Sequence, residues 1–142
     1  MLGTFQLFIN FNGECREAVE FYSKLFKSDV VNLMTYADMT PDPNFTVTEA
    51  DKDKIMYCSI QIFGCTVMFC DVPTGSPFIK GSNFNPTIVT KDMDEIRRMF
   101  DELREGGVVS MELQKTFWSD LYGMLTDKYG IIWGLSHDSG RL

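Results

Sequence analysis

The chain repeats one order of predicted elements, and this duplication limits its possible folds more than any other feature. A strand, an amphipathic helix and a run of short strands occupy residues 4–71, and the same order returns over 84–136. One helix and four strands cannot bury both faces of a sheet, so two copies must share a core or frame a cleft. We predict one domain over 1–142, with modules at 4–71 and 83–137. Its linker is 72–82, which is rich in Pro, Gly and Ser.

Charge and hydropathy exclude several classes of function. The net charge is −7 and the 13 Lys and Arg residues are scattered, which argues against nucleic acid as a partner and predicts long-range repulsion of acidic ligands. No apolar run approaches the roughly 20 residues that cross a bilayer, so no membrane association is expected. The first residues lead into a strand without a basic region or a cleavage site. These features predict a cytoplasmic location.

Two helices follow from apolar residues at helical spacing. In the first module a β-rich run, FQLFINF over 5–11, ends at Asn12-Gly13 and precedes a helix with this apolar face: Cys15, Ala18, Val19, Tyr22, Leu25 and Phe26. In the second module Asp92 has the position of an N-cap, and Gly106-Gly107 ends the helix. Residues 38–53 contain two prolines and few large apolar residues, which predicts a long surface loop. Loops of that length are often functional.

The hairpin 55–71 has the clearest alternation in the chain. Its predicted register places Cys58 opposite Phe69 and Ile62 opposite Cys65. One face is apolar and suits a helix-covered core. The other face is mixed in polarity, which is typical of a strand that lines a cleft: Tyr57, Ser59, Gln61, Thr66, Met68 and Cys70.

Few side chains of the types that bind metals or carry covalent catalysis are present. The four cysteines lack paired metal spacing, so we expect reduced, half-buried packing residues that do not face one another within the hairpin. The single histidine, His137, is expected in a solvated tail, and no G-x-S-x-G motif occurs. A histidine-rich metal site and a serine triad are therefore not predicted.

The amino-acid sequences of three segments resemble those of a known family. NGECREAVEFYSKLF, MYCSIQIFGCTVMFCD and, most specifically, TFWSDLYGMLTDKYGIIWG look like the PhnB-like branch of the vicinal oxygen chelate superfamily. That superfamily includes glyoxalases, dioxygenases and bleomycin-resistance proteins. The resemblance implies an α+β fold in which two βαβββ modules form a curved mixed sheet, with helices on the convex side, a cleft on the concave side and assembly as a homodimer. Members often carry a 3-demethylubiquinone methyltransferase label, although the chain lacks the Gly-rich turn of a Rossmann-type nucleotide site.

The resemblance also identifies where a divalent metal would be bound. Superfamily enzymes use His, Gln or Glu from the first and last strands of each module. The matching positions hold these residues: Gln6 or Leu7, Met68 or Cys70, Asn85, and Gly134. Many PhnB-like relatives also have His and Glu where this chain has Tyr57 and Ser59. Since divalent ions of this kind prefer carboxylate or imidazole, no metal cofactor is expected.

We therefore predict that the protein binds a small, partly apolar molecule in its cleft without the usual metal. Phe8, Tyr57, Met68 and Trp118 are expected to line the cleft, with Gln6, Asn85 and Ser59 as polar contacts and Cys70 on the same face. One alternative is a metal-dependent lyase, isomerase or dioxygenase that combines Gln6 with a carboxylate of the 38–53 loop. Another is a resistance-type protein that sequesters a flat antibiotic between aromatic side chains. Catalysis itself is left open.

Overall fold

A computed structural model describes residues 1–141, which divide into two compact units inside the predicted linker. Unit 1 spans Met1–Ile79 and unit 2 begins at Lys80. Unit 1 contains β1 (Leu7–Phe11), α1 (Cys15–Phe26), β2 (Val31–Thr35), β3 (Ile55–Ile62) and β4 (Cys65–Asp71). Unit 2 contains β5 (Thr87–Thr90), α2 (Met93–Arg104), β6 (Val108–Gln114), β7 (Tyr122–Thr126) and β8 (Ile132–His137). The repeated βαβββ order and the α+β class are confirmed.

Unit 1 is one mixed sheet with a helix on one face. Its strand order is β1-β4-β3-β2, with β1 parallel to β4 and the other neighbours antiparallel. The β3–β4 register pairs Cys58 with Phe69 and Ile62 with Cys65, which confirms the predicted hairpin. On α1, Tyr22 stacks on Phe69 with ring centroids 5.8 Å apart. The apolar face of the hairpin therefore forms the core under α1.

Unit 2 repeats this arrangement with different side chains. The order is β5-β8-β7-β6, and β5 runs parallel to β8. Beneath α2, Trp133 and Leu135 of β8 are buried together with these helix residues: Ile96, Met99, Phe100 and Leu103. Trp133 donates from Nε1 to Asp127 Oδ2 at 2.8 Å, and Asp127 Oδ1 accepts from the backbone of Tyr129 and Ile131. Asp127 thus fixes the β7–β8 turn.

A carboxylate accepts backbone N–H groups at the start of each helix, but the two carboxylates come from different parts of the chain. The predicted N-cap Asp92 accepts from the backbone N–H of Glu95 at 3.0 Å. In α1 that function is performed by Asp71, at the far end of β4, which accepts from Gly13 N at 2.8 Å and Cys15 N at 3.0 Å. A partner 56 residues away cannot be found from helical spacing.

The loop between β2 and β3 is more ordered than a long surface loop suggests. A 3-10 turn covers Tyr36–Asp38, and two carboxylates of the loop accept hydrogen bonds from backbone N–H groups. Asp38 accepts from Thr35 N at 3.0 Å, and Asp51, which is buried, accepts from Thr74 N at 2.9 Å. The 3-10 turn also explains why β2, predicted over 29–37, ends at Thr35.

Both α-helices of residues 1–141 are shorter than a helix that spans a bilayer. α1 and α2 contain 12 residues each, and none of the described helices is long and apolar enough to cross a bilayer.

Candidate functional site

In unit 1 the sheet face opposite α1 carries most of the predicted ligand-binding residues. We call this surface the open face of unit 1; it consists of the outward residues of β1, β3 and β4: Phe8, Asn10, Tyr57, Ser59, Gln61, Thr66, Met68 and Cys70. Met68 lies between Phe8 and Ser59 in the strand register. Phe8 meets Tyr57 edge to face, with centroids 6.1 Å apart and planes at 77°. The structure thus brings Phe8, Tyr57, Ser59 and Met68 together.

Phe8 is the most exposed aromatic side chain of this group. It is 45% exposed, whereas Ser59 on the same face is only 3% exposed. Gln6 precedes β1 and is exposed. The open face therefore has a partly uncovered apolar centre.

Asn10 belongs to the open face and was missed by the sequence analysis. It pairs with Cys70 in the parallel register, and the Cys70 thiol donates to Asn10 Oδ1 at 3.1 Å. Burial, followed by the charge of Asp71, raises the pKa of Cys70 to about 11, so the thiol stays protonated at neutral pH. The alternation of FQLFINF, which places residues 6, 8 and 10 on one side, was the signal that could have identified Asn10.

The other cysteines occupy different environments. Cys58 faces α1 and contacts the Cys15 thiol; both residues are buried. The hydrogen bond with Cys58 and burial raise the pKa of Cys15. Cys65, by contrast, is exposed, so the expectation of half-buried packing is wrong for that residue. None of the three hairpin cysteines pairs with another in the β3–β4 register, as predicted.

Asn85 lies in unit 2, just before β5. Its Nδ2 donates to Met124 Sδ at 3.1 Å, and Met124 pairs with Gly134 across β7 and β8. Gly134 also pairs with Thr87, and a Cβ added at Gly134 would lie 2.7 Å from Thr87 Oγ1. Thr87 thus occupies the space into which a side chain at position 134 would extend.

Trp118 also lies in unit 2, in the loop between β6 and β7. It is half-buried between Phe117, with ring centroids 4.7 Å apart, and Tyr122, at 5.2 Å, and Phe117 is 82% exposed. The buried Ser119 hydroxyl donates to the carbonyl oxygens of Leu121 and His137 and so fixes the loop. The aromatic group is therefore held on an ordered backbone.

His137 is not the solvated tail residue expected from its position. It is the last residue of β8, is half-buried, and places Nδ1 2.6 Å from Ser139 Oγ. Its backbone N–H donates to Leu121 O at 2.8 Å. Strand pairing therefore extends one residue further than the predicted end at residue 136.

The residues at the metal positions of the superfamily do not fit a divalent ion. Met68 offers a thioether, the Cys70 thiol is protonated, and Gly134 has no donor and faces Thr87. Across residues 1–141 no group of three or more His, Cys, Asp or Glu side chains is placed to hold a metal. The metal-dependent alternative combines Gln6 with one carboxylate of the 38–53 loop, and two of these carboxylates, Asp38 and Asp51, already accept hydrogen bonds from Thr35 and Thr74.

Comparison with known proteins agrees with this architecture. A family model described as 3-demethylubiquinone-9 3-methyltransferase matches residues 4–136. Protein PA1353 from Pseudomonas aeruginosa is 28% identical, with 96% of this chain and 98% of that chain covered and a TM-score of 0.86. A putative 3-demethylubiquinone-9 3-methyltransferase, PhnB protein, from Bacillus cereus is 26% identical, with 95% and 99% covered and a TM-score of 0.77.

A more distant likeness concerns the fold alone. A glyoxylase/bleomycin resistance protein/dioxygenase domain from Frankia sp. EAN1pec is 8% identical, with 97% of this chain and 98% of that chain covered and a TM-score of 0.67. The resemblance noted in the sequence is thereby confirmed at the level of fold and family.

Proposed function

The chain belongs to the PhnB-like family described as 3-demethylubiquinone-9 3-methyltransferase, and from this premise we propose that it binds a small, partly apolar molecule on the open face of unit 1. The observation that carries the proposal is the half-exposed Phe8, held edge to face against Tyr57 beside Met68. The similar proteins are known by a gene-product name or a putative methyltransferase label, and neither establishes a specific activity for the family.

The chemistry of the face supports a ligand with both apolar and polar parts. Aromatic rings that stand on a pleated sheet present a rigid surface, and covering apolar area contributes about 25 cal/mol per Å². Around this centre, Asn10 and Gln61 offer amide groups, whereas Ser59, at 3% exposure, is too buried to contact a ligand without a local rearrangement. Small-molecule sites typically combine a mostly apolar lining with a few polar groups that orient the ligand.

Binding without the usual metal is part of the proposal. It is supported by the donor set at positions 68, 70, 85 and 134, which lacks carboxylate and imidazole groups. Nor does the methyltransferase label match the topology. Each sheet contains a single parallel pair, whereas a doubly wound nucleotide-binding fold requires a mostly parallel sheet with a Gly-rich first turn.

The first experiment follows the Met68 methyl group by NMR in protein labelled at methionine methyl groups. Titration with a panel of small aromatic fragments is expected to give saturable shifts at Met68 that are lost in Phe8→Ala. The matched control is Phe63→Ala, which removes a similarly exposed ring from the β3–β4 turn of the same unit. If no fragment shifts Met68, or if Phe8→Ala titrates like the unchanged protein, the proposal is wrong.

A second experiment distinguishes metal-free binding from the metal-dependent alternative. Thermal melts and elemental analysis are made on untagged protein with Zn²⁺, Ni²⁺, Mn²⁺ and Fe²⁺. An ion at a hundred times its dissociation constant stabilises the native state by about 2.7 kcal/mol. The proposal expects no such shift; stoichiometric metal together with a raised melting temperature would favour a metal-dependent enzyme.

The aromatic group around Trp118 favours one second candidate, sequestration of a planar compound. Phe117 and Trp118 are held at right angles beside Tyr122, with planes at 82° and 72°. Tryptophan fluorescence titrated with planar compounds such as bleomycin is expected to saturate at low micromolar concentration if this candidate holds. An unchanged titration in Trp118→Ala would remove Trp118 from the site, and Asn85→Ala tests separately the other predicted ligand-binding residue of unit 2.

Homodimeric assembly in the cytoplasm completes the proposal. The three side chains Val31, Leu33 and Met34 of the outer strand β2 are all exposed, which supports a protein partner at that edge.

A further inference from the structure

The strands of both units are almost free of formal charge. The chain contains 13 Lys and Arg and 20 Asp and Glu residues, yet within the eight strands the residues of these types are Asp71 and Glu112. Charge is therefore concentrated on the helices and loops, although half of each antiparallel strand normally faces solvent and accepts polar and charged side chains.

Each of these two carboxylates is bound at the end of a helix. Asp71 is 2% exposed and pairs with Phe11 under α1, where it accepts from Gly13 N, Cys15 N and, at 3.1 Å, Ile55 N. Glu112 binds Arg104 at the end of α2, with Oε1 and Nη2 2.6 Å apart. Asp71 is thus held by backbone N–H groups, and Glu112 is held by an ion pair.

The polar groups that remain on the open face of unit 1 are neutral and partly bonded to each other. Gln61 donates to Thr66 Oγ1, and the Cys70 thiol donates to Asn10 Oδ1. Charged side chains are likewise missing around Gly134 in unit 2, where the described neighbouring residues are Asn85, Thr87 and Met124. Two separately encoded sheets with the same lack of charge point to a shared requirement rather than to chance at one position.

We infer that the ligand of the open face of unit 1 carries no formal charge and is an uncharged aromatic or apolar molecule with one or two hydrogen-bonding groups. This inference rests on the proposed function and narrows its ligand class. A charged group covered on this face would lose water without gaining an ionic partner, and such burial is unfavourable. An anion is further opposed by the net charge of −7.

The test compares three probes that differ mainly in charge: 4-methylbenzamide, 4-methylbenzoate and 4-methylbenzylammonium. Each is titrated against the full chain while the Met68 methyl signal is followed. The neutral amide is expected to bind at least tenfold more tightly than either ion. Equal or tighter binding of the carboxylate or the ammonium overturns the inference and leaves the proposed function standing. If none of the three shifts Met68, the proposed function and the inference fall together.

An isosteric variant places a charge on the face. Asn10→Asp keeps an oxygen that accepts from Cys70, so the fold is expected to persist. The variant should bind the ammonium probe at least tenfold more tightly than the unchanged protein does. Asn44→Asp, in the loop between β2 and β3, is the matched control and should leave the preference unchanged. An unchanged preference in Asn10→Asp overturns the inference.

A second copy of the chain is the competing occupant of this surface. Sedimentation velocity of Met68→Lys distinguishes it: the mass is expected to equal that of the unchanged protein. Conversion of a dimer to a monomer by Met68→Lys would assign the face to a protein interface and overturn the inference.

Discussion

At the residue scale, the buried Asp71 joins two segments of unit 1 through its carboxylate. Its two carboxylate oxygens accept three backbone N–H groups from two segments, the start of α1 and the start of β3. Asp71→Ala leaves these donors without an acceptor, so we expect a loss of about 3 kcal/mol in the free energy of unfolding, measured by urea denaturation. Asp94→Ala, on the first turn of α2, is the control. A loss below about 1 kcal/mol would show that water replaces the carboxylate.

Residue-scale prediction from sequence succeeded where the pattern is local. Alternation placed Tyr57, Ser59 and Met68 on one face, and the strand register confirms this. It failed for the pairs Asp71–Cys15 and Cys15–Cys58, because these contacts join segments more than 40 residues apart and have no periodic signature. The lack of charge on the strands was visible in the sequence but acquires meaning only once the uncovered face is known.

Cysteine reactivity gives a second prediction at this scale. Cys65 is exposed, Cys15 and Cys58 are buried, and the pKa of Cys70 is raised to about 11. A thiol reagent such as DTNB at neutral pH should therefore modify one thiol rapidly in the native protein and all four in denaturant. Cys65→Ser should abolish the rapid phase. A rapid phase that survives this substitution would mean that Cys70 reacts despite its raised pKa.

At the element scale, the loop between β2 and β3 is anchored by one carboxylate. Asp51 accepts from Thr74 Oγ1 at 2.6 Å and lies 2.9 Å from Lys54 Nζ, and these contacts, the Thr74 hydroxyl first, hold its pKa below the ordinary value. A carboxyl group with a lowered folded-state pKa stabilises the fold above its unfolded pKa of about 3.9, and that contribution is lost as the pH falls through the folded value.

We therefore expect the free energy of unfolding to fall more steeply below about pH 4 in the unchanged protein than in Asp51→Asn. Urea denaturation at pH 7 and at several values below about pH 4 measures both slopes. Lys52→Gln, which alters an exposed ion pair with Glu49 in the same loop, is the control and should keep the slope. If the free energy of unfolding falls with pH at the same slope in Asp51→Asn and in the unchanged protein, Asp51 does not anchor the loop.

Helices and strands could be predicted where their own residues show a periodic pattern. The hairpin over 55–71 was predicted from its alternation, and β3 and β4 occupy that range. The loop over 38–53 was predicted as an irregular surface segment, whereas the structure shows a 3-10 turn, a bridge between Asp42 and Phe45 and the buried Asp51. Asp51 is held by Thr74, 23 residues away, and a contact of this kind has no signal in the composition of the loop.

At the scale of the whole molecule, the duplication was the most informative signal. It predicted two βαβββ modules, and each unit has a helix over one face of a mixed four-stranded sheet. The two copies preserve the architecture and the absence of charge on the strands while their contacts differ. α1 begins on Asp71 of a distant strand, whereas α2 begins on its own Asp92. Duplication therefore predicts topology better than it predicts individual contacts.

The proposed homodimer gives the prediction that belongs to this scale. β2 is an outer strand of its sheet and exposes Leu33 between Val31 and Met34. An exposed apolar outer strand favours association, and a lysine there opposes it because its charge would have to be buried. Light scattering coupled to size-exclusion chromatography should give the mass of a dimer for the unchanged protein and a shift toward monomer for Leu33→Lys. Ile79→Lys, an exposed apolar residue outside the strands, should keep the dimer. A dimer that survives Leu33→Lys would mean that β2 is not the interface, and a monomeric unchanged protein would remove assembly from the proposed function.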